Sequence, residues 1–289
     1  MRVAVIGARG QLGTDLCQEL GERAVPLGHE DVELTDPSSV RKALERAAPD
    51  CVINAAAYNF VDRAEDEPEV AYAVNALGPR SLAQVCADRD ILLVHVSTDH
   101  VFGLDRQRRV PYRESDSPGP ASAYGVSKLA GEYFVRNLCP RHFLVRTCGL
   151  YGRAGASGRG KGNFVETMLR LGRERSEVRV VEDQRCTPTA TMDLARALVR
   201  LIQTEAYGLY HITNAGDASW FEFAAAIFRQ AGMKVRLVPV SSAEFGAKAQ
   251  RPAYSVLDCR KLEEVVGARL RPWPQALAEY LRHRDTPPV

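Results

Sequence analysis

The chain has 289 residues and 45% hydrophobic content, enough for one large α/β domain, or a large and a small one, around a substantial core. Lys+Arg 38 against Asp+Glu 36 leaves a net charge of +2, which argues against nucleic-acid and membrane partners; the short basic runs Arg106-Gln107-Arg108-Arg109 and Arg159-Gly160-Lys161 read as solvated loops. Seven scattered cysteines without a Cys-x2-Cys pair read as buried thiols of a reducing compartment, and no run has the length of a membrane span or the make-up of a leader, so a cytoplasmic location is expected.

The first expected strand is Val3–Ile6, followed by the glycine turn Gly7-x2-Gly10-x2-Gly13 and a helix near residues 13–21. Strand, turn and helix stand in the order that a dinucleotide pyrophosphate requires. Gly7 suits the tight turn, Gly10 the close backbone approach and Gly13 the packing of helix on strand, while the helix start offers N–H groups to the phosphates. A short second strand, Ala24–Leu27, runs into Gly28-His29-Glu30 with no acid directly at its tip. A reader of the ribose 2′-hydroxyl is therefore not evident. Arg9 and His29 could accommodate a 2′-phosphate, so NADPH is expected at least as readily as NADH.

Helices near 37–47, 68–88 and 121–138 alternate with strands at 51–55, 91–96 and 143–146. That alternation predicts βαβ units and a Rossmann-type, doubly wound parallel sheet. Ser97-Thr98-Asp99 follows the apolar run 91–96, which puts the Thr98 hydroxyl at the carboxyl edge of a buried strand, where open α/β sheets bind ligands. Downstream, Tyr124 and Lys128 stand four apart on an expected helix and share one face. A lysine there favours the phenolate and would bring the tyrosine toward a working pKa. Tyr-x3-Lys alone is common on solvated helices; joined to the glycine turn and a strand-end threonine, it reads as a catalytic set.

Beyond Tyr151 the texture changes. A glycine-rich basic segment, 153–162, precedes a helix from Phe164 to Leu171, a strand 178–181, a helix 192–203, a strand 208–212 and a helix opening on the capping box Ser219-x2-Glu222. Arg271-Pro272-Trp273-Pro274 and Pro287-Pro288 read as chain-terminal turns. Gly155-x4-Gly160-Lys161-Gly162 comes within one residue of a phosphate-loop NTPase signature, but glycine stands where Ser or Thr must hold magnesium, so a loop at the rim of a substrate cleft is the better reading. The expected division is a cofactor domain of residues 1–152 and 187–214, with a smaller substrate-binding region of 153–186 and 215–289.

These motifs resemble the extended short-chain dehydrogenase/reductases and, within them, the dTDP-4-dehydrorhamnose reductase family. The resemblance runs through Gly7 to Gly13, Val52-Ile53-Asn54-Ala55-Ala56-Ala57-Tyr58, Val61-Asp62-Arg63-Ala64-Glu65, Val74-Asn75, Tyr124 to Glu132, Asp183-Gln184 and Arg251-Pro252-x2-Ser255. It implies NAD(P)H-dependent reduction of the 4-keto group of a nucleotide-linked deoxysugar. It implies a pyrophosphate turn of Gly7, Gly10, Gln11, Leu12 and Gly13, with Glu33 and Leu34 near the adenine. Ala55, Ala56, Ala57, Tyr58 and Ser97 would line the cofactor, with Tyr124 and Lys128 touching it. Thr98, Tyr124 and Lys128 match the catalytic trio, and Thr98, Asp99, Gly149, Gln184 and Arg251 the substrate side.

Three departures fall on that substrate side. His100 replaces a tyrosine, Gly149 replaces a tryptophan that lies against the sugar in relatives, leaving a hole of aromatic size, and Cys186 replaces a glycine. They bear on which sugar is used more than on the reaction type. A competing reading is a dinucleotide-binding regulatory subunit without turnover, resembling the β subunit of methionine adenosyltransferase; a third is a reductase or epimerase of another nucleotide sugar. Magnesium and a homodimer are further expectations of the resemblance.

Overall fold

A computed structural model describes residues 1–156 and 162–284. In chain order the elements are β1 (Val3–Ile6), α1 (Gln11–Leu20), β2 (Ala24–Leu27), α2 (Pro37–Ala47), β3 (Cys51–Asn54), α3 (Pro68–Tyr72), α4 (Gly78–Asp88), β4 (Leu92–Thr98), α5 (Ala123–Leu138), β5 (His142–Thr147) and β6 (Leu150–Tyr151). They continue with α6 (Phe164–Glu174), β7 (Glu177–Val181), β8 (Arg185–Cys186), β9 (Thr189–Ala190), α7 (Thr191–Leu201), β10 (Gly208–His211), β11 (Ala218–Ser219), α8 (Trp220–Gln230), β12 (Arg236–Val240), α9 (Ser242–Phe245), α10 (Arg260–Val266) and α11 (Trp273–His283).

Six strands form one parallel sheet in the order β10-β5-β4-β3-β1-β2. Side chains alternate across it as strand geometry requires. Val3 and Val5 join Val94, Val96 and the inner faces of α1 and α7 in one core, while Ala4 and Ile6 join Leu93 and residues of α2 and α4 in the other. Apolar residues on both faces explain why the strands read as unbroken hydrophobic runs. The chain leaves β1 outward to β2 and returns to β3 on the other side. The crevice at that switch opens at the carboxyl ends of β1, β3 and β4.

Register then sets the rim. β3 stops at Asn54, opposite His95, whereas β4 runs on beside β5 to Thr98, opposite Thr147. The last turn of β4 therefore projects past its neighbour, with Val96 and Thr98 at the mouth of the crevice.

A third core is built from α6, β7, α8 and α11, around Phe223, Leu169 and Leu277. The capping box forms: Ser219 Oγ accepts from the Glu222 amide at 3.1 Å, and Glu222 Oε2 accepts from the Ser219 amide at 2.8 Å. Three elements of this half correct the sequence reading. Pro272 and Pro274 do not end the chain in a turn but open the helix α11, because proline loses nothing in a first helical turn. Pro239 concealed β12, which tolerates it as half of a two-stranded ribbon with β7. α10 carried no periodic signal strong enough to read. Part of the phosphate-loop-like segment (157–161) and Pro287-Pro288 lie outside the described residues.

Candidate active site

The glycine turn is shaped for a phosphate. Gly7 has φ +78°, and a Cβ on Gly13 would stand 2.1 Å from the Gly7 carbonyl oxygen, so only glycine lets α1 start this close to β1. Gly10 caps α1 without a side-chain hydrogen bond. Helix geometry leaves the N–H groups of Gln11, Leu12 and Gly13 without intrahelical acceptors, and together they form a cradle for an anion. The Gln11 side chain is used elsewhere: its Oε1 accepts from Gly152 N and Asn163 Nδ2, both at 2.9 Å, and its Nε2 donates to Gly162 O at 3.1 Å. It ties the turn to the start of the third core.

The segment expected to lie near the adenine is half-buried at Glu33. Glu33 accepts from the amide and hydroxyl of Thr35 at 2.9 and 2.7 Å, which holds its carboxyl below the usual range, while Leu34 is buried in the core behind it. The two cations expected to await a 2′-phosphate have carboxylate partners: Arg9 pairs with Glu30, and His29 lies 3.6 Å from Glu33.

Opposite the turn, Ala55, Ala56, Ala57 and Tyr58 form a half-buried wall after β3. Two asparagines that were not singled out as site residues hold it. Asn54 Oδ1 accepts from Ala56 N at 3.1 Å while its amide donates to His95 Nδ1 at 3.2 Å. Asn75 grips Tyr58 at both backbone atoms, accepting from N at 2.8 Å and donating to O at 2.9 Å, and also donates to Ser127 Oγ at 3.0 Å. Asn75 lies in the π-helical turn Ala73–Leu77 that joins α3 to α4, a kind of bulge frequent at functional sites. An asparagine at a buried strand end, and one in an otherwise apolar helix face, were the available signals.

The proposed trio meets beyond the end of β3. Ser122 caps α5 by accepting from Gly125 N at 3.2 Å, and Glu65 accepts from Ala123 N at 2.8 Å, which fixes the first turn carrying Tyr124. Burial pushes the Tyr124 phenol up to about 12, with the neighbouring Thr98 hydroxyl working against that rise. The expected lowering by Lys128 is not what this site does. Lys128 instead donates Nζ to Val96 O at 2.7 Å, a carbonyl past the last pairing of β3, and burial draws its own pKa down to about 8. His100 meets Tyr124 edge-on, with ring centroids 5.5 Å apart.

Thr98 and Asp99 are locked together. Thr98 Oγ1 accepts from His100 N and donates to Asp99 Oδ1, both at 3.2 Å. Asp99 Oδ2 also accepts from Ser255 Oγ at 2.6 Å and Cys148 Sγ at 3.0 Å. Ser97 points to the other face of β4, where its hydroxyl donates to Glu132 at 2.6 Å.

The remaining substrate-side positions are also occupied. Gln184 donates to Ser242 Oγ at 2.8 Å. Arg251 is bidentate to Asp62 at 3.0 and 2.7 Å, clamping the C-terminal segment onto the loop after the alanine wall. Gly149 does not leave a hole. Its φ is +55°, and a Cβ there would meet Pro188 Cα at 3.2 Å and Thr187 O at 3.3 Å. Among the described residues no group of three or more His, Cys, Asp or Glu is placed to hold a metal ion, and nothing here supports the expected magnesium.

A phosphate-shaped turn at the switch of a parallel sheet, with threonine, tyrosine and lysine gathered beside it, defines an extended short-chain dehydrogenase/reductase. Within that class the chain belongs to the family described as RmlD substrate binding domain, which matches residues 1–285. It is 41% identical to the spore coat polysaccharide biosynthesis protein SpsK of Bacillus subtilis, over 99% of this chain and 98% of that one. It is also 41% identical to the dTDP-4-keto-6-deoxy-D-glucose reductase of Streptomyces niveus, over 96% of each. The crystal structure of dTDP-4-dehydrorhamnose reductase from Bacillus anthracis in complex with NADP superposes with a TM-score of 0.91 at 41% identity, covering 98% of this chain and 99% of that chain. No helix among the described residues is long and apolar enough to cross a membrane.

Proposed function

We propose that the protein is an NAD(P)H-dependent reductase of the 4-keto group of a dTDP-linked 6-deoxysugar, converting dTDP-4-dehydro-L-rhamnose to dTDP-L-rhamnose. The observation that carries the reading is the placing of Thr98, Tyr124 and Lys128 around the projecting end of β4, beside a glycine turn that fits a pyrophosphate. The names borne by full-length relatives support the substrate class. The bound nicotinamide supplies the hydride.

The chain supplies proton and geometry. Held protonated by burial, Tyr124 is in the state needed to give its proton to the developing alkoxide, and Thr98 hydrogen-bonds the same oxygen. Lys128, anchored on Val96 O, has N–H bonds left for the nicotinamide ribose. The exposed guanidinium of Arg9 exchanges Glu30 for a 2′-phosphate, so both NADPH and NADH bind. A subunit without turnover has no need of a buried tyrosine and lysine gathered at a strand end, which favours the enzyme. Exposed Val70, Leu77, Val126 and Tyr133 on packed neighbouring helices support a homodimer, and a monomer in sedimentation would remove it.

The deciding experiment follows NADPH oxidation with a panel of dTDP-4-keto-6-deoxysugars. Turnover of dTDP-4-dehydro-L-rhamnose above the other members is the expected result. NADPH binding without oxidation by any of them would sink the reading.

A further inference from the structure

Tyr124, Lys128 and Glu132 follow one another at one-turn intervals on a single face of α5. The first two serve the proposed chemistry. Glu132 has no part in it, yet it is only 1% exposed. Two strands grip its carboxylate. Arg146 of β5 donates Nε to Oε1 at 2.9 Å and Nη2 to Oε2 at 2.7 Å, while Ser97 of β4 donates to Oε1 at 2.6 Å. A buried ion pair of this kind is often no more stable than apolar residues of the same size, so its presence asks for a reason other than stability. Arg146 Nη1 has no hydrogen-bond partner among the described residues, and the guanidinium carbon rests over the Phe102 ring at 5.1 Å.

We infer that Glu132 is a positioning residue for Lys128: its fixed carboxylate, one helical turn away, holds the buried ammonium in cationic form for contact with the cofactor ribose. This rests on the cofactor role given to Lys128 above. A free carboxylate would swing onto the ammonium and occupy its N–H donors. Here Arg146 and Ser97 hold it back, and the ammonium goes to Val96 O instead. The influence is exerted through space, and Nζ keeps N–H bonds to offer.

The groups around Lys128 leave this task to Glu132. α5 itself adds Tyr124, a protonated phenol. β4 and the turn after it add His95, held neutral by burial and by Lys128, and Asp99, engaged by Thr98, Cys148 and Ser255. β5 adds the cation Arg146. The helical segment 68–88 contributes Asn75 and the thiol Cys86, which burial keeps protonated, and the loop before it contributes Glu65, committed to Ala123 N. Burial draws Lys128 toward the neutral form, and Glu132 is the carboxylate that opposes it.

The test measures NADPH affinity by fluorescence, and kcat, from about pH 6 to about pH 10 for wild type, Glu132→Gln and Glu132→Gln/Arg146→Met. Affinity is expected to fall as Lys128 loses its proton, and loss of the Glu132 charge should move that midpoint down by about one pH unit. The double variant, which leaves no unpaired charge behind, should regain thermal stability and keep the displaced midpoint. It alone decides the matter if the single variant does not fold. An unmoved midpoint, or a double variant that returns to the wild-type midpoint, would overturn the inference, because Glu132 would then serve only to neutralise Arg146. Displaced NADPH midpoints in a protein that reduces no 4-keto sugar nucleotide would support the inference and remove the proposed substrate.

Discussion

In the proposed reaction, burial rather than an acidifying neighbour would make Tyr124 the proton donor. With the phenol pushed up to about 12, it stays protonated across the neutral range in the free protein. That is the state a reductase uses, and the opposite of what oxidation of an alcohol would require. Tyr124→Phe should lower kcat about tenfold or more, in keeping with the usual size of general-acid effects, and leave NADPH affinity nearly unchanged. Steady-state turnover beside a fluorescence titration checks both halves; wild-type turnover would take Tyr124 out of the mechanism. Gly149 gives the contrary lesson. Refilling the position with tryptophan does not restore an aromatic wall, because the backbone is left-handed there and the new side chain would leave against Thr187 and Pro188. Gly149→Trp should cost roughly 1–2 kcal/mol of stability from the backbone alone, with no fall in KM. A thermal melt and a KM measurement decide it, and a lowered KM would show that the segment can reopen.

At the scale of elements, the helical segment 68–88 and α5 meet at the π-helical turn, and Gly131 makes that approach possible. A Cβ at 131 would stand 2.2 Å from the Asn75 carbonyl oxygen, which is backbone and cannot step aside cheaply. Gly131→Ala should destabilise the protein by about 1–3 kcal/mol. It should also weaken NADPH binding, because Asn75 is what holds the Tyr58 backbone. An unchanged melting temperature would mean the two helices part without cost. This contact also marks the limit of what could be read beforehand. The strands of the sheet were legible because both faces bury apolar residues, and the glycine turn and Tyr-x3-Lys were legible because their spacing is local. Asn54, Asn75, Glu132 and Ser255 gain their meaning from partners far along the chain, and no local pattern reports those. The π-helical turn was hidden inside an ordinary helical periodicity. α11 was hidden by prolines, which mark a helix start as readily as a chain end.

The molecule as a whole buries two neutral histidines in its parallel sheet, and this sets its response to acid. His95 is held well below its ordinary value and His211 at about 3, both through burial, aided by the nearby cations Lys128 and Arg146. The unfolded chain takes up these protons near pH 6.5 and the folded one does not. Stability is therefore complete above about pH 6.5 and is lost as pH falls from there toward the folded values, at about 1.4 kcal/mol per pH unit for each histidine. Denaturant melts at a series of pH values should show this slope, and His211→Gln should remove about half of it; a flat profile between about pH 6.5 and about pH 4.5 would contradict the account. Order of assembly follows from another long-range contact. Asp99, at the end of the central strand, is completed by a hydroxyl 156 residues further on, at Ser255. At ribosomal rates of about 5–20 residues per second, on the order of ten to thirty seconds separate the synthesis of the two. During that interval the nascent chain carries the strand end at Asp99 without the hydroxyl that completes it, so this part of the sheet rim closes only once the C-terminal region has been made.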